Sequence, residues 1–411
     1  MKDAKSAGFS PERLARIRPA MERHIGEGKL AGVVTLLARG GQVVHHEAIG
    51  GLERNGGEPM CTDAIFRLFS MTKPITCVAL MTLYEQGHFQ LPDPVSKFIP
   101  EFDDLKVAIE EGSDVSLVDL DEPVTIRHLL THTSGLSYSF WEYGAVEERY
   151  RAARVCADQS LADFVTDLAK LPLAFQPGAA WRYSFAHDVV ARLVEVISGQ
   201  TFDDYLRDHI LAPLGMVDTG FHVPQDKQHR FASMYGSADV LEPAITGTQL
   251  FDDLDAGVNK RIAGPTDSLE SSPHAVLRGG HGLVSTATDY LRFCSMMLNG
   301  GELEGQRILG RKTVELMTTN HIAPALLPLE EGGLYKPGCG YGLGFGVLMD
   351  VGLSGTIGSN GEYNWTGAAS TSFWIDPVEQ FIGIQLTQFQ PMSTFPNAED
   401  FKVAAYQAIV D

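Results

Sequence analysis

Stretches typical of β-strands lie at both ends of this chain of 411 residues, while stretches typical of helices fill its middle. Near the start, two β-rich runs, 31–39 and 42–49, flank Gly40-Gly41, and this spacing predicts a hairpin. Near the end, three further runs are rich in β-branched and aromatic residues: 344–349, 367–375 and 381–388. Strands at both ends around a helical middle predict one sheet to which the two ends of the chain contribute together.

We therefore expect an α+β fold, in which an antiparallel sheet with flanking helices, built from residues 1–88 and 282–411, carries an inserted and mainly helical domain at 89–281. Residues 222–280 are rich in Gly, Pro, Ser and Asp, which predicts long loops. Cap residues, apolar spacing and terminal glycines predict helices at 11–25, with a kink at Pro19, and at 126–131, 161–171, 186–198, 202–211, 288–298, 311–318 and 398–410.

The charge balance and the hydrophobic pattern exclude several classes of partner. Acidic residues number 52 against 32 basic ones, and a formal charge of -20 would repel a nucleic-acid backbone. No window holds about eighteen unbroken apolar residues, so no membrane partner is predicted. The first residues lack the apolar segment of a secretory signal, and we therefore expect a cytoplasmic protein. The sequence does not indicate an oligomeric state.

The cysteines and histidines predict no metal site. Five cysteines form no Cys-x-x-Cys pair, which indicates neither a zinc knuckle nor a disulfide framework, and free thiols fit a reducing compartment. His128 and His132 have the i, i+4 spacing of a zincin helix, but Leu129 stands where that motif requires Glu. The cysteines are Cys61, Cys77, Cys156, Cys294 and Cys339.

Four residues, Ser70-Met71-Thr72-Lys73, bring a hydroxyl and an amine close together. Apolar residues recur at helical spacing from Ile75 onward, so Ser70 is predicted to cap a buried helix. Ser70 and Lys73 are three residues apart and share one face of that helix. Desolvation and the positive helix N-terminus both disfavour an ammonium on Lys73, and a neutral lysine can accept the serine proton.

A serine and a lysine at this spacing also occur by chance. The alternative is that Ser70 only caps the helix and that Lys73 is a solvated lysine of its first turn. Cys77, one turn beyond Lys73, is a second candidate nucleophile, but a cysteine on an apolar helix more often packs in the core. Two stretches further along the chain decide between these interpretations.

The first stretch, Tyr183-Ser-Phe, follows a turn and precedes a helix, and the second, Trp365-Thr-Gly, opens a strand. With Ser70-x-x-Lys73, and in this order, they resemble the three signature motifs of the serine β-lactamase and penicillin-binding protein superfamily, with the class C branch as the nearer match. Longer phrases resemble the family VIII carboxylesterases, which share the class C fold: 91–96, 125–136, 213–221, 282–286 and 341–345. The resemblance covers nearly the whole chain.

The resemblance implies roles for individual residues. Ser70 would be the nucleophile, and Lys73 with Tyr183 would handle the protons as a coupled pair. The backbone N–H groups of Ser70 and Ala368 would form the oxyanion hole. The substrate would be a small-molecule ester, and no metal or cofactor is implied.

Two positions depart from the β-lactamase pattern. β-Lactamases usually carry Lys where this chain has Trp365 and Asn where it has Phe185, and those polar groups hold the carboxylate and amide of the antibiotic. Two aromatic side chains suit an uncharged acyl ester instead. We therefore expect a serine carboxylesterase for short to medium acyl chains, with Trp365, Gly367 and Phe185 binding the substrate.

Two alternatives stay open. One is a β-lactamase, or a D-amino-acid peptidase or amidase, on the same fold, and both aromatic substitutions argue against it. The other is a catalytically silent binding or scaffold protein. The presence of Ser70, Lys73 and Tyr183 together favours an enzyme.

Overall fold

The computed structural model describes residues 4–54, 57–111, 114–155, 159–242 and 244–411, so Cys156 lies outside the described residues. Its centre is a seven-stranded sheet in which every neighbouring pair is antiparallel. In spatial order, its strands are Cys339–Tyr341, Gly346–Leu348, Tyr363–Gly367, Thr371–Asp376, Phe381–Leu386, Gly32–Arg39 and Gln42–Gly50.

The two ends of the chain meet where Gly32–Arg39 pairs with Phe381–Leu386. The hairpin predicted at Gly40-Gly41 is confirmed, and the φ angles of these glycines are 55° and 74°. Positive φ at both central residues is what a type I′ turn requires, and glycine adopts it without strain. This topology confirms the α+β fold predicted from the β-rich runs.

Helices surround the sheet and fill the middle of the chain. The α-helices are Pro11–Leu14, Ile17–Gly26, Thr72–Glu85, Ile126–Leu130, Ala145–Ala152, Leu161–Leu168, Ala186–Ser198, Phe202–Leu206, Gly247–Asp255, Ala287–Leu298, Arg311–Met317, Val351–Ser354 and Asn397–Tyr406. The shorter strands are Phe66–Arg67, Lys106–Glu111, Asp114–Asp119, Met234–Gly236, Lys260–Ala263, Val284–Ser285, Glu302–Leu303, Gln306–Arg307, Leu329–Glu331, Leu334–Lys336 and Phe389–Gln390.

Side chains along the central strands point alternately to the two faces of the sheet, and they divide the hydrophobic core into two layers. Val33 and Leu37 of the strand Gly32–Arg39 belong to a cluster with the first and last helices of the chain. Val34 and Leu36 belong to the much larger cluster on the other face, which includes the helix Thr72–Glu85. Because side chains of a strand alternate between faces, one strand buried on both sides supports helices on both faces of the sheet.

The structure corrects the sequence prediction at three places. Trp365-Thr-Gly does not open a strand but ends the strand Tyr363–Gly367, and the next strand starts only at Thr371. The first helix is not one kinked helix, because the chain leaves the helix after Leu14 and a second helix starts at Ile17. Pro19 is the third residue of this second helix, where a missing N–H costs nothing. The stretch 222–280 is not only loops, since it contains the helix Gly247–Asp255 and two short strands. The other predicted helices are confirmed with small shifts at their ends.

The division into two domains stays a prediction. All seven strands of the large sheet fall within 1–88 and 282–411, as the prediction requires. The larger hydrophobic cluster, however, runs without interruption from these segments into the helices of 89–281. The helix Thr72–Glu85 is buried in this cluster and packs against the helix Ala186–Ser198. The candidate site lies at the start of this helix.

Candidate active site

The predicted nucleophile lies in a short 3₁₀ turn, Phe69–Met71, directly before the helix Thr72–Glu85. Met71, rather than Ser70, is the N-cap residue, so the predicted capping role of Ser70 is wrong. Phe69 has φ = 47°, a left-handed conformation that non-glycine residues rarely adopt and that is typical of functional sites. The turn thus leaves the Ser70 hydroxyl uncommitted to capping and close to the helix N-terminus.

Lys73 is completely buried, and its amine is held by three oxygens. Its Nζ lies 3.0 Å from Ser70 Oγ, 2.9 Å from the Tyr138 hydroxyl and 2.7 Å from the Gly280 carbonyl oxygen. Burial lowers the pKa of Lys73 to about 7. A neutral amine has two N–H groups and one lone pair, and a carbonyl can only accept. With its N–H groups directed at Gly280 and Tyr138, the amine presents its lone pair to the Ser70 hydroxyl.

Tyr183 completes the group around the nucleophile. Its ring lies 4.5 Å from Lys73 Nζ, and its hydroxyl accepts a 3.1 Å hydrogen bond from Trp365 Nε1. Burial raises the pKa of Tyr183 well above its ordinary value, and a hydrogen bond with Ser70 only partly opposes this rise. Tyr183 is therefore a neutral phenol at physiological pH, which suits it to donate a proton, whereas Lys73 is the group suited to accept one.

Tyr138 and Gly280 contact the Lys73 amine, and the sequence analysis missed both of them. Tyr138 follows the motif 125–136 by two residues, and this proximity was its single signal in the sequence. Its ring packs edge-on against Phe185 at 4.3 Å and stacks on Phe140 at 4.7 Å. Gly280 lies in a stretch predicted as a loop, and nothing in its sequence context points to Lys73.

A cavity of about 240 Å³ opens beside Ser70 and is lined mainly by aromatic and aliphatic side chains. Ser70, Tyr138, Tyr183, Trp365 and Ala368 all line it. Its other walls come from Phe69, Phe140, Trp141, Val240, Leu241, Gly247, Leu250, Phe251, His281, Glu331, Gly332, Leu334, Lys336, Thr366, Pro391, Met392 and Ser393. The apolar character of these walls fits a substrate with an uncharged acyl group.

Gly367 acts through the backbone. A Cβ built on Gly367 would lie 2.2 Å from the carbonyl oxygen of Leu68, so only glycine permits this approach. The same carbonyl accepts a 3.1 Å hydrogen bond from Thr371 Oγ1. The end of the strand Tyr363–Gly367 is thereby fixed against the turn that carries Ser70, and Ala368 follows directly. This placement is what an oxyanion hole formed by the N–H groups of Ser70 and Ala368 needs.

The two histidines with zincin spacing have structural surroundings in the folded chain. Among them, no group of three or more His, Cys, Asp and Glu side chains could hold a metal ion. His128 Nδ1 accepts from the Thr125 N–H in a capping box, while burial keeps the pKa of His132 well below its ordinary value. Within the same ranges, no helix combines the length and the apolar content needed to cross a membrane.

A model of the beta-lactamase family matches residues 15–407. The chain belongs to the beta-lactamase family. Over 89% of its length it is 34% identical to Protein Rv1367c of Mycobacterium tuberculosis, of which 87% is covered. Over 88% of its length it is 32% identical to Esterase EstB of Burkholderia gladioli, again with 87% of the relative covered.

Solved structures agree with this assignment. EstCE1, described as a hydrolase with promiscuous acyltransferase activity, is 28% identical and superposes with a TM-score of 0.76 over 96% of this chain and 99% of its own. Unliganded simvastatin synthase from Aspergillus terreus, at 22% identity, shares the fold with a TM-score of 0.75 over 97% of this chain and 98% of its own. These findings confirm the resemblance to the family VIII esterases drawn from the motifs.

Of the two aromatic residues that depart from the β-lactamase pattern, only one lies beside Ser70. Phe185 is completely buried behind Tyr138 and does not line the Ser70 cavity. Trp365 does line it, and Lys336, which forms an ion pair with Glu331, lies 5.8 Å from the Trp365 ring. A cation is therefore present near the place of the missing lysine, but a carboxylate neutralises it.

Proposed function

We propose that this protein is a serine carboxylesterase that hydrolyses short to medium acyl esters through an acyl-enzyme on Ser70. The observation that carries this proposal is the buried amine of Lys73, which lies 3.0 Å from Ser70 Oγ and has its pKa lowered to about 7 by burial. At neutral pH, a substantial fraction of the protein then has a base in contact with its nucleophile.

Acylation follows from this geometry. The Lys73 amine takes the proton of the Ser70 hydroxyl as Ser70 Oγ attacks the ester carbonyl carbon, and the backbone N–H groups of Ser70 and Ala368 stabilise the oxyanion. The carbon–oxygen bond to the alcohol then breaks. The Tyr183 hydroxyl donates its proton to the leaving alkoxide, and the Tyr183 oxygen then takes up the proton that Lys73 removed from Ser70, so both groups return to their neutral forms.

Deacylation uses the same groups in reverse. Water takes the place of the alcohol, gives a proton to the Tyr183 and Lys73 pair, and attacks the acyl carbon, after which Ser70 leaves as the hydroxyl. An alcohol in place of water would yield a new ester. The relatives named above include a hydrolase with promiscuous acyltransferase activity, so transfer to an added alcohol is the second reaction to test.

The cavity favours esters over β-lactam antibiotics. An anionic antibiotic would have to lose water from its carboxylate on entering walls that are mainly apolar. The one cation that lines these walls among the described residues, Lys336, is already paired with Glu331. Such a carboxylate therefore gains no free partner in exchange for its hydration. Small-molecule esters are the proposed partners, and residence in the cytoplasm remains a prediction from the sequence.

Two measurements test the proposal. Intact mass after incubation with a serine-reactive phosphonate should show one adduct in the native protein and none in Ser70→Ala. A panel of nitrophenyl esters from short to long chains should then be hydrolysed with kcat/KM several orders of magnitude above that for a chromogenic cephalosporin. Absence of the adduct would favour a silent scaffold, and equal rates for butyrate ester and cephalosporin would favour a β-lactamase.

A further inference from the structure

Two consecutive glycines, Gly279 and Gly280, bind the helix that carries the base. The Gly279 carbonyl accepts a 2.7 Å hydrogen bond from Thr76 Oγ1, and the Gly280 carbonyl accepts one of 2.7 Å from Lys73 Nζ. A Cβ on Gly279 would lie 2.5 Å from the carbonyl oxygen of His187, so the backbone runs tightly between the helices Thr72–Glu85 and Ala186–Ser198. Such close packing leaves no room for a side chain at Gly279.

Asp188 accepts a hydrogen bond from this glycine segment. It is the third residue of the helix Ala186–Ser198, it is completely buried, and its Oδ1 accepts a 3.0 Å hydrogen bond from the Gly280 N–H. Its Oδ2 has no hydrogen-bond partner. A Cβ on Gly280 would lie 2.7 Å from that oxygen and 3.2 Å from the Tyr138 hydroxyl. Asp188, Gly280, Lys73 and Ser70 therefore form one chain of contacts.

We propose that Asp188 is a positioning residue that holds the Gly280 carbonyl on Lys73 and so directs the amine's lone pair at Ser70. Without Asp188, the Gly280 peptide loses its N–H acceptor and is free to rotate. The Lys73 amine would then lose the oxygen that fixes one of its N–H groups. The inference rests on the proposed role of Lys73 as the base.

The carboxylate also acts on Lys73 through its charge. Burial lowers the pKa of Lys73, and the charge of Asp188 is the strongest influence that opposes this decrease. Burial raises the pKa of Asp188, while Arg278 and Lys73 lower it. Other titratable groups that face Lys73 or Asp188 from the surrounding elements are Cys77, His132, Tyr138, Tyr183, His187, His281 and Glu331.

The test compares Asp188→Ala with Asp188→Asn. The alanine variant removes the acceptor of the Gly280 N–H. We expect kcat for a nitrophenyl butyrate to fall on the order of 100-fold with KM nearly unchanged, because a misplaced catalytic group slows the reaction without weakening binding. The asparagine variant keeps an oxygen for the Gly280 N–H and should recover most of kcat. Because it lacks the charge that raises the pKa of Lys73, the acid limb of its kcat/KM profile should move to lower pH.

Asp289→Asn is the matched control. Asp289 is likewise a buried third residue of a helix, Ala287–Leu298, and its Oδ2 accepts a 2.7 Å hydrogen bond from the backbone N–H of Asp218. This variant should keep the native pH profile. Thermal unfolding of each variant separates loss of folding from loss of kcat, and if Asp188→Ala does not fold, the pH profile of Asp188→Asn decides.

Three results would overturn the inference. The first is a native kcat in folded Asp188→Ala, and the second is an acid limb of the Asp188→Asn profile that stays in place or moves to higher pH. The third is an acid limb that moves to lower pH in Asp289→Asn as well. Failure of the proposed function looks different. In that case the native protein itself would show neither a phosphonate adduct nor ester hydrolysis, whatever residue stands at position 188.

Discussion

At the scale of single residues, the site depends on how completely Lys73 is removed from water. An exposed lysine has a pKa near ~10.4 and is almost wholly charged at neutral pH. The Lys73 side chain has no exposed surface, and its pKa is lowered to about 7. The three oxygens around its amine then decide which way the lone pair points.

The pH dependence of catalysis follows from this pKa. The neutral amine is the reactive form, so kcat/KM for an ester should be half-maximal near pH 7 and fall as the pH decreases below the pKa of about 7. No decline is expected on the alkaline side up to about pH 10, because the pKa of Tyr183 is raised well above its ordinary value by burial. A profile between pH 5 and 10 measures this, and a flat profile would contradict the role of Lys73.

Lys73 and Tyr183 should behave as one unit in mutagenesis. Lys73→Ala and Tyr183→Phe should each remove most of kcat, and the double variant should lose little more, because residues that act in one proton pathway are not additive. Single-turnover rates of phosphonate or ester acylation are the measurement. If the two losses multiply, the groups act independently and the proposed pathway is incorrect.

Trp365 should contribute mainly through its hydrogen bond. The variant Trp365→Phe keeps an aromatic ring beside Ser70 but loses the donor that lies 3.1 Å from the Tyr183 hydroxyl. We expect kcat to fall by about tenfold, which corresponds to one lost hydrogen bond of roughly 1–1.5 kcal/mol, with a smaller change in KM. Unchanged kcat together with a large increase in KM would instead assign Trp365 to substrate binding alone.

At the scale of secondary-structure elements, a small hairpin covers part of the cavity. Its strands, Leu329–Glu331 and Leu334–Lys336, bring Glu331 and Lys336 into the cavity wall. The Tyr143 hydroxyl donates a 3.1 Å hydrogen bond to Glu330 at the base of this hairpin. The hairpin thus supplies the charged pair in a wall that is otherwise mostly apolar.

Releasing the cation of this pair should change substrate choice. Glu331→Gln leaves Lys336 without its counter-ion, so KM for an ester or cephalosporin with a carboxylate should fall by about tenfold or more, since a charge-assisted hydrogen bond contributes about 1.5–3 kcal/mol. A neutral butyrate ester should be nearly unaffected. Glu330→Gln, on the same hairpin but outside the cavity wall, is the control, and an equal effect in both variants would contradict this explanation.

The sequence was most informative about elements with strong local signals. Thr125 and Ser160 are the observed N-caps, and the positive φ of Gly199 ends the helix Ala186–Ser198 as predicted. The position of Tyr138, Gly280 and Asp188 around Lys73 could not be predicted, because it depends on contacts between segments far apart in the chain. Phe185 shows the same limit, since the motif gave its place in sequence but not its burial behind Tyr138.

At the scale of the whole molecule, the last helix closes one face of the sheet. Phe401 of the helix Asn397–Tyr406 is completely buried, and its ring lies 5.3 Å from that of Trp374. The Tyr406 hydroxyl lies within hydrogen-bond distance of two buried carboxylates, 2.8 Å from Asp376 Oδ2 and 2.9 Å from Glu362 Oε2. The C-terminal segment therefore belongs to the core of the sheet rather than to its periphery.

Stability should depend on this helix. Phe401→Ala should lower the free energy of unfolding by about 3–5 kcal/mol, the cost of removing a buried phenyl ring and leaving a cavity. Val403→Ala on the same helix is the control, because this side chain is 53% exposed, and it should change stability by less than about 0.5 kcal/mol. Urea unfolding followed by fluorescence measures both, and similar values would show that the helix packs loosely.

The contact between Gly367 and the nucleophile turn also governs when activity can arise during synthesis. The hydrogen bond from Thr371 to the Leu68 carbonyl joins positions 303 residues apart, so the ribosome must add 303 residues beyond Leu68 before this bond can hold the nucleophile turn. Pairings of such long range form late and slowly. A nascent chain stalled before residue 371 should thus carry the serine and the lysine but turn over no ester, and activity should appear only after Thr371 has been added.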